Sequence, residues 1–206
     1  EDVVAAYVHR PDYPAALHAR LLELAPGRAR LVDLGCGPGK LARALAPQFD
    51  EVLAVDPSAA MLRLGQALDA GRHRHVHWRR GRAEDVDFDG PIDLAVAGAS
   101  LHWMDPAALF PKLARAMTPV LAVVDGDAPT DAPWLDAYQA VIVGWVERLG
   151  DTWNGPAHRD RMTRHDPWLD VLGREAFTIE VRQPLETLIA CQHSRATWAR
   201  SKMGPL

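Results

Sequence analysis

The apolar positions in the first 125 residues predict strands that alternate with helices. Leu17, Leu21 and Leu24 recur at helical spacing, which predicts a helix with one buried face that ends at Pro26. Five short apolar runs predict strands: Leu31–Leu34, Val52–Val55, Val76–Trp78, Ile92–Val96 and Val120–Val124. Because near-continuous apolar strands that alternate with helices need cover on both faces, we predict an α/β fold with a doubly wound, mostly parallel sheet.

The composition changes after residue 125, where we predict an inserted cap. Proline, aspartate, histidine and tryptophan become frequent around one predicted helix from Trp134 to Leu149. We therefore expect a single domain, residues 1–206, with a core (1–125), an α-helical and aromatic cap (126–174) and a return to the core (175–206). The segment Phe177–Val181 alternates with a period of two and predicts one more strand with one buried face.

Composition and charge favour a globular protein that acts on a small molecule. The chain has 206 residues, 48% hydrophobic and 24% charged, and no apolar run approaches the roughly 20 residues that span a bilayer. A formal net charge of -4 gives no overall attraction to nucleic acid. Two cysteines, Cys36 and Cys191, and no secretory signal predict a cytoplasmic protein. The sequence begins at Glu1 rather than methionine and ends at Leu206 directly after a predicted helical stretch, so we expect further residues at both ends.

The strongest chemical signal is a glycine-rich turn, residues 33–39, that follows the first predicted strand. A strand that enters such a turn and then a helix lets backbone N–H groups approach a ligand closely, because glycine has no Cβ and accepts positive φ. Sites for nucleotides and for S-adenosylmethionine (SAM) both use this arrangement. The dinucleotide fingerprint would need a glycine at position 40, which is Lys40, so a nicotinamide cofactor is the weaker interpretation.

Two acidic residues beside this turn favour SAM. The Asp33 carboxylate can bind the ammonium group of the methionine moiety, a group that a dinucleotide lacks. Asp56 closes the next strand about 20 residues later, where an acidic residue can accept both ribose hydroxyls. Because Pro57 and Ser58 follow, Asp56 could instead cap the next helix. Cys36 is predicted to be a small, space-filling residue.

Four segments together resemble the successive motifs of class I SAM-dependent methyltransferases. They are Val32–Gly39, Ala54–Leu62, Gly81–Asp85, and Ile92–Leu94 with Leu101–Asp105. The resemblance covers about residues 5–125 and is nearest to the broad type 11 group that includes trans-aconitate-like enzymes. It implies a Rossmann-like sheet whose last strand is antiparallel, and we expect that strand beyond Leu206.

The resemblance implies SAM as the cofactor and S-adenosylhomocysteine as the product. The residues that it and the turn assign to the cofactor are Asp33, Gly35, Gly37, Gly39, Asp56, Pro57, Met61, Ala83, Glu84, Ala99 and Arg10. Ala83 would give a backbone contact to adenine, with Glu84 or Asp85 near the adenine amino group, although Arg82 stands where many relatives carry an acidic or amide residue. Tyr7 and Arg10 would close over the cofactor, or would anchor the first helix instead.

Methyl transfer is expected at the end of the fourth strand. Open α/β sheets bind ligands at the carboxyl ends of their strands, so residues 97–103 should face the methyl group. His102 is the titratable residue of this segment and is our candidate general base; alternatively, His102 and Trp103 pack the pocket wall. The segment lacks both the tetrad expected of enzymes that methylate base amines and a carboxylate for a catechol-type magnesium site.

Two other groups of residues allow a functional and a structural interpretation. His73, His75 and His77 alternate among arginines, which predicts a solvated edge strand more strongly than a metal site or an RNA contact. The cap aromatics could line a substrate pocket or pack a helix core; they are Trp134, Tyr138, Trp145 and Trp153. We predict no metal and no membrane partner.

The predicted function is methyl transfer from SAM to a small-molecule acceptor by in-line displacement at an oxygen, nitrogen or carbon nucleophile. The alternatives are an RNA or protein methyltransferase and a non-catalytic SAM-binding module. A nicotinamide-dependent oxidoreductase is the remaining interpretation.

Overall fold

The computed structural model describes residues 2–116, 118–126, 133–148, 150 and 163–194. The chain divides into two compact units. The sheet unit comprises residues 11–125 and 160–181, and the second unit comprises residues 1–10, 126–159 and 182–206. The predicted division into a core (1–125), a cap (126–174) and a return to the core (175–206) stays a prediction.

The sheet unit contains a five-stranded parallel sheet in the order β3-β2-β1-β4-β5. Its strands are β1 (Arg30–Leu34), β2 (Glu51–Asp56), β3 (Val76–Arg80), β4 (Leu94–Gly98) and β5 (Leu121–Val124). The described residues of both units form the α-helices α1 (Asp2–Ala6), α2 (Ala15–Leu24), α3 (Lys40–Leu45), α4 (Ala59–Asp69), α5 (Pro106–Arg115), α6 (Leu135–Arg148) and α7 (Leu185–Gln192).

Helices cover both faces of the sheet, so the predicted doubly wound α/β fold is confirmed. Along β1, Leu31 belongs to a buried cluster that α2, α3 and α4 complete, whereas Val32 and Leu34 belong to a second cluster that α5 completes. Successive side chains of a strand point to opposite faces, and here both directions are buried. This explains why residues 31–34 of β1 are apolar apart from Asp33.

The sheet reverses its order at β1, which pairs with β2 on one side and β4 on the other. Asp33 lies opposite Val96 in β4, and Leu34 lies opposite Val55 in β2. The carboxyl ends of the three strands therefore meet at one edge, where open α/β sheets bind ligands.

The prediction of a strand at Phe177–Val181 is wrong. The structure assigns neither strand nor helix there, although Phe177 packs against the core cluster that also contains Leu31. Ile179 and Val181 are 42% and 44% exposed. Alternation establishes only which side chains of an extended segment are apolar, whereas a strand also needs a neighbouring backbone that completes its hydrogen bonds.

The second unit contains α6, which confirms the helix predicted around Trp134–Leu149. Ile142 and Val146 are its buried residues, and Tyr138 and Trp145 pack against them. The Tyr138 hydroxyl donates to Gln192 Oε1 of α7 at 2.8 Å. These two aromatic side chains therefore have a packing role, while Trp153 lies outside the described residues. Across the described ranges, every helix is too short or too polar to cross a bilayer.

Candidate active site

The turn after β1 depends on glycine at two positions. Gly35 and Gly39 have φ values of +67° and +73°, in the left-handed region that glycine adopts without steric cost. A Cβ at Gly35 would lie 2.6 Å from the Ser100 Cβ, and one at Gly39 would lie 2.4 Å from the Trp78 ring. The turn therefore packs too closely against β3 and the end of β4 to accept side chains at these positions.

Asp33 places a carboxylate inside the sheet unit, next to this turn. The residue is 2% exposed, and its Oδ2 accepts a hydrogen bond from the Ala42 N–H of α3 at 3.0 Å. Burial, with a smaller contribution from the negative charge of Asp56, raises the pKa of Asp33 to about 7. A buried carboxylate of this kind favours a cationic partner, because a positive charge offsets the cost of ionising it away from water.

Asp56 joins the end of β2 to the glycine turn. Its Oδ2 accepts from the Gly37 N–H at 2.8 Å, and its Oδ1 accepts from the Ser58 N–H at 2.8 Å. The side chain that caps α4 is Ser58, whose Oγ accepts from the Met61 N–H at 3.3 Å. Asp56 is therefore not the helix cap. Burial raises the pKa of Asp56, against the opposite effect of the two hydrogen bonds.

Cys36 fills space within the turn. Its Sγ donates to the Gly37 carbonyl at 3.4 Å, and its N–H donates to the Val55 carbonyl at 2.9 Å. Burial, followed by the charges of Asp33 and Asp56, raises the pKa of the thiol well above its usual value. The thiol is therefore protonated at neutral pH and unreactive, in agreement with the space-filling role.

The segment after β3 contains an ion pair between Arg82 and the buried Glu84. Glu84 is 6% exposed, and its Oε1 accepts from Arg82 Nη2 and from the Asp105 N–H, both at 2.8 Å. Burial raises the pKa of Glu84, but these bonds outweigh burial, and the pKa lies below its usual value. Arg82 thus stabilises a buried carboxylate that holds the chain entering α5, while Ala83 is buried beside it. The contacts of Ala83 and Glu84 with adenine stay predictions.

The β4–α5 loop, residues 99–105, begins with an unusual backbone conformation. Ala99 is exposed and has a φ of +51°, which costs free energy for a residue other than glycine, and strained residues of this kind cluster at active sites and ligand clamps. Its N–H donates to the Val124 carbonyl at 2.7 Å, and Ser100 Oγ donates to the Leu34 carbonyl at 2.5 Å. The two bonds hold this strained peptide at the sheet edge where β1 and β4 meet.

His102 lies in a 3-10 turn within this loop. It is 9% exposed, and its ring centroid lies 4.8 Å from that of Trp103, which is 69% exposed. The backbone carbonyls of His102 and Met104 accept hydrogen bonds from Arg164 Nη2 at 2.9 and 2.7 Å. Sequence reasoning missed both Arg164 and the bond from Ser100 to Leu34, because no local pattern connects residues about 60 positions apart.

Pro57, Met61 and Arg10 are three further residues that were predicted to contact the cofactor. Pro57 is exposed and Met61 is half-buried, both at the start of α4. Arg10 belongs to the second unit, where its Nη1 donates to Tyr7 Oη at 3.0 Å and its Nε donates to Ser194 Oγ at 2.6 Å. These contacts favour the anchoring interpretation of Arg10, and its cofactor role stays a prediction.

The alternating histidines do not form a metal site. His73 Nδ1 lies 2.6 Å from Asp69 Oδ1, His75 Nε2 lies 2.9 Å from the Ala46 carbonyl, and His77 is exposed. Over the part of the chain that the structure describes, no three histidine, cysteine or acidic residues come together as metal ligands would. Of the three histidines, His77 lies exposed on the edge strand β3, as predicted, whereas His73 and His75 precede that strand and are half-buried.

Comparison with known families identifies the sheet unit. A family described as a methyltransferase domain matches residues 31–121. The chain contains a methyltransferase domain. The cofactor of this methyltransferase domain is SAM. The matched residues run from β1 into β5, so the methyltransferase domain includes the glycine turn, both acidic residues and the β4–α5 loop.

Relatives of this methyltransferase domain extend over much of the chain. The chain is 33% identical over 172 residues to an uncharacterized methyltransferase of Mycobacterium tuberculosis, a match that covers 82% of this chain and 65% of that protein. It is 34% identical over 167 residues to a trans-aconitate 2-methyltransferase of Variovorax paradoxus, covering 76% of this chain and 60% of the relative. The chain thus spans less than two thirds of the length of these relatives.

A solved structure from Anaeromyxobacter dehalogenans, of a proposed type II methyltransferase, is similar to nearly the whole chain. The two have a TM-score of 0.69 and 28% sequence identity, over 95% of this chain and 83% of that one. The architecture predicted from the alternating apolar runs is thus one that a methyltransferase relative also has.

Proposed function

We propose that this chain transfers a methyl group from SAM to a small-molecule acceptor by in-line displacement at an oxygen, nitrogen or carbon nucleophile. The observation that carries the proposal is the hydrogen bond from the Gly37 N–H to Asp56 Oδ2, at 2.8 Å. It joins the acidic end of β2 to the glycine turn after β1, next to Asp33, and supports a single site formed by these groups at the switch point of the sheet.

The residues of this site fit the chemical groups of SAM. Asp33 offers a buried carboxylate to the ammonium group of the methionine moiety. Each Asp56 oxygen accepts one backbone N–H, and since a carboxylate has about four acceptor positions, Asp56 retains capacity for the ribose hydroxyls. Met61 and the Ala83 backbone would complete the adenosine site, as the family resemblance implies.

The protein's contribution to the reaction is alignment, exclusion of water and removal of a proton where the acceptor requires it. SAM supplies a methyl group already activated on a sulfonium. His102 is the candidate base, on the loop that follows the strained Ala99 peptide. Its largely buried ring also fits the pocket-wall interpretation, and the two roles differ in their effect on the pH dependence of turnover.

A small-molecule acceptor is favoured over RNA or protein for two reasons. The formal net charge of -4 offers no general attraction to nucleic acid. Relatives that match at 29–39% identity are named trans-aconitate 2-methyltransferases, and their named substrate is a small molecule.

The proposal is tested by methyl transfer from radiolabelled SAM into a cell extract that is afterwards separated into small molecules, RNA and protein. We expect label among the small molecules, lost in the Asp56→Ala variant and kept in the Asp50→Asn variant, whose carboxylate is exposed. Label only in RNA or protein would show that the acceptor is a macromolecule and would overturn the small-molecule proposal. Calorimetric SAM binding without any labelled product would indicate a non-catalytic module.

A further inference from the structure

The β4–α5 loop is held at three points by hydrogen bonds to other parts of the sheet unit. At its start, Ser100 Oγ bonds the Leu34 carbonyl. At its end, the Asp105 N–H bonds Glu84. Between them, Arg164 Nη2 donates to the carbonyls of both His102 and Met104. The first two anchors are Leu34, at the end of β1, and Glu84, in the segment after β3, whereas Arg164 lies within the predicted cap, residues 126–174.

The middle of the loop needs such a donor for a physical reason. The 3-10 turn Leu101–Trp103 is closed by hydrogen bonds from the Trp103 and Met104 N–H groups to the carbonyls of Ser100 and Leu101. The carbonyls at the end of so short a turn have no partner within it. A single guanidinium nitrogen satisfies two of them, and a charged donor forms stronger bonds than a neutral one.

Arg164 is itself held in place by its neighbours. The next residue, His165, is fully buried, and its ring meets that of Phe110 edge-on at a centroid distance of 5.9 Å. Trp168 stacks on the same phenylalanine at 6.2 Å with an interplanar angle of 17°. Because Phe110 belongs to α5, the segment that carries Arg164 is packed on the helix that follows the loop.

We propose that Arg164 is a positioning residue for methyl transfer, which holds the backbone of the loop that carries His102 and Trp103. The inference rests on the proposed function, since His102 is the candidate base. Arg164 reaches the carbonyl of His102 itself, so its loss frees the peptide that sets the direction of the imidazole. A displacement of about 1 Å at a reacting group can cost roughly a hundredfold in rate.

The test compares Arg164→Met, Arg164→Lys and the control Arg174→Met, which changes an exposed arginine of the same unit. Initial rates are measured against a dilution series of the small-molecule extract fraction, and SAM binding is measured by calorimetry. We expect Arg164→Met to lower the maximal rate at least tenfold, with half-saturation and SAM affinity within about twofold of the unaltered protein. Lysine, which keeps the charge but not the fork of donors, should recover part of the rate.

A second measurement does not depend on turnover. With 5-fluorotryptophan incorporated, the Trp103 resonance is assigned by its absence from Trp103→Phe. Arg164→Met should shift or broaden this ¹⁹F resonance, and Arg174→Met should not. An unchanged resonance with an unchanged rate would overturn the proposal. A raised half-saturation with an unchanged maximal rate would also overturn it, because Arg164 would then contact the acceptor directly. If no variant shows turnover, the proposed function fails, and the fluorine spectrum still decides whether Arg164 holds the loop.

Discussion

Replacing Asp33 by asparagine separates the effect of its buried carboxylate on folding stability from its proposed effect on SAM affinity. Asparagine has nearly the same shape, and its side-chain oxygen can still accept the hydrogen bond from the Ala42 N–H. The variant cannot ionise. We therefore expect it to be more stable than the unaltered protein at alkaline pH and to bind SAM more weakly.

The stability effect follows from the raised pKa of Asp33, about 7 against an ordinary value of 3.8. The folded state binds this proton more tightly than the unfolded state, so the free energy of unfolding falls as the pH rises from about 4 to about 7. At about 1.4 kcal/mol per pKa unit, the upper bound of the loss is about 4 kcal/mol. Asp33→Asn should regain about 2 to 4 kcal/mol at pH 8 and little at pH 4.

The affinity effect has the opposite sign. In the proposed site the ammonium of SAM pairs with the ionised Asp33 carboxylate, so we expect SAM affinity to fall as the pH drops below about 7. With one tenth of Asp33 ionised at pH 6, the affinity there should be about tenfold below its value at pH 8. Asp33→Asn should lose this pH dependence and bind roughly tenfold to a hundredfold more weakly at pH 8, since a charge-assisted bond is worth about 1.5 to 3 kcal/mol.

Denaturant unfolding at pH 4 and pH 8 measures the stabilities, and calorimetry between pH 6 and pH 8 measures SAM affinity. Asp50→Asn, which removes an exposed carboxylate, is the matched control and should change neither quantity. The reasoning is refuted if Asp33→Asn is less stable than the unaltered protein at pH 8, or if it binds SAM equally well at every pH.

Three further predictions concern neighbouring parts of the site. Asp56→Ala should weaken SAM binding roughly tenfold to over a hundredfold in calorimetry, and an unchanged affinity would remove the ribose assignment. Ala at Gly39 or Gly65 should lower the melting temperature, because a Cβ would lie 2.4 or 2.5 Å from the Trp78 ring. Trp78→Leu in the same chain should relieve most of the effect at Gly65 but less at Gly39, where a φ of +73° adds a strain of about 1 to 2 kcal/mol. His102→Ala should keep SAM affinity while lowering turnover, and a pH profile with unaltered rates throughout would exclude the base role.

The order of elements and the glycine turn were predictable from the chain itself. Buried parallel strands must be apolar on both sides, which marks β1, β2 and β4 as continuous runs. The glycines at 35 and 39 could be recognised from the sequence, since few other residues adopt the positive φ that the turn requires. The acidic residues at the ends of β1 and β2 followed from their place beside these elements. All of these signals are local, because each depends on residues that are close together in sequence.

Only the tertiary structure decided which distant groups complete the site. Local sequence allowed Asp56 to cap α4, and the structure assigns that role to Ser58. The local sequence likewise gave no reason for the pairing of Arg82 with the buried Glu84, or for the hydrogen bond from Arg164 to the β4–α5 loop. Polar partners of this kind are chosen by which unsatisfied carbonyls and carboxylates the packed chain brings within hydrogen-bonding distance, and that choice is made only when segments far apart in sequence meet.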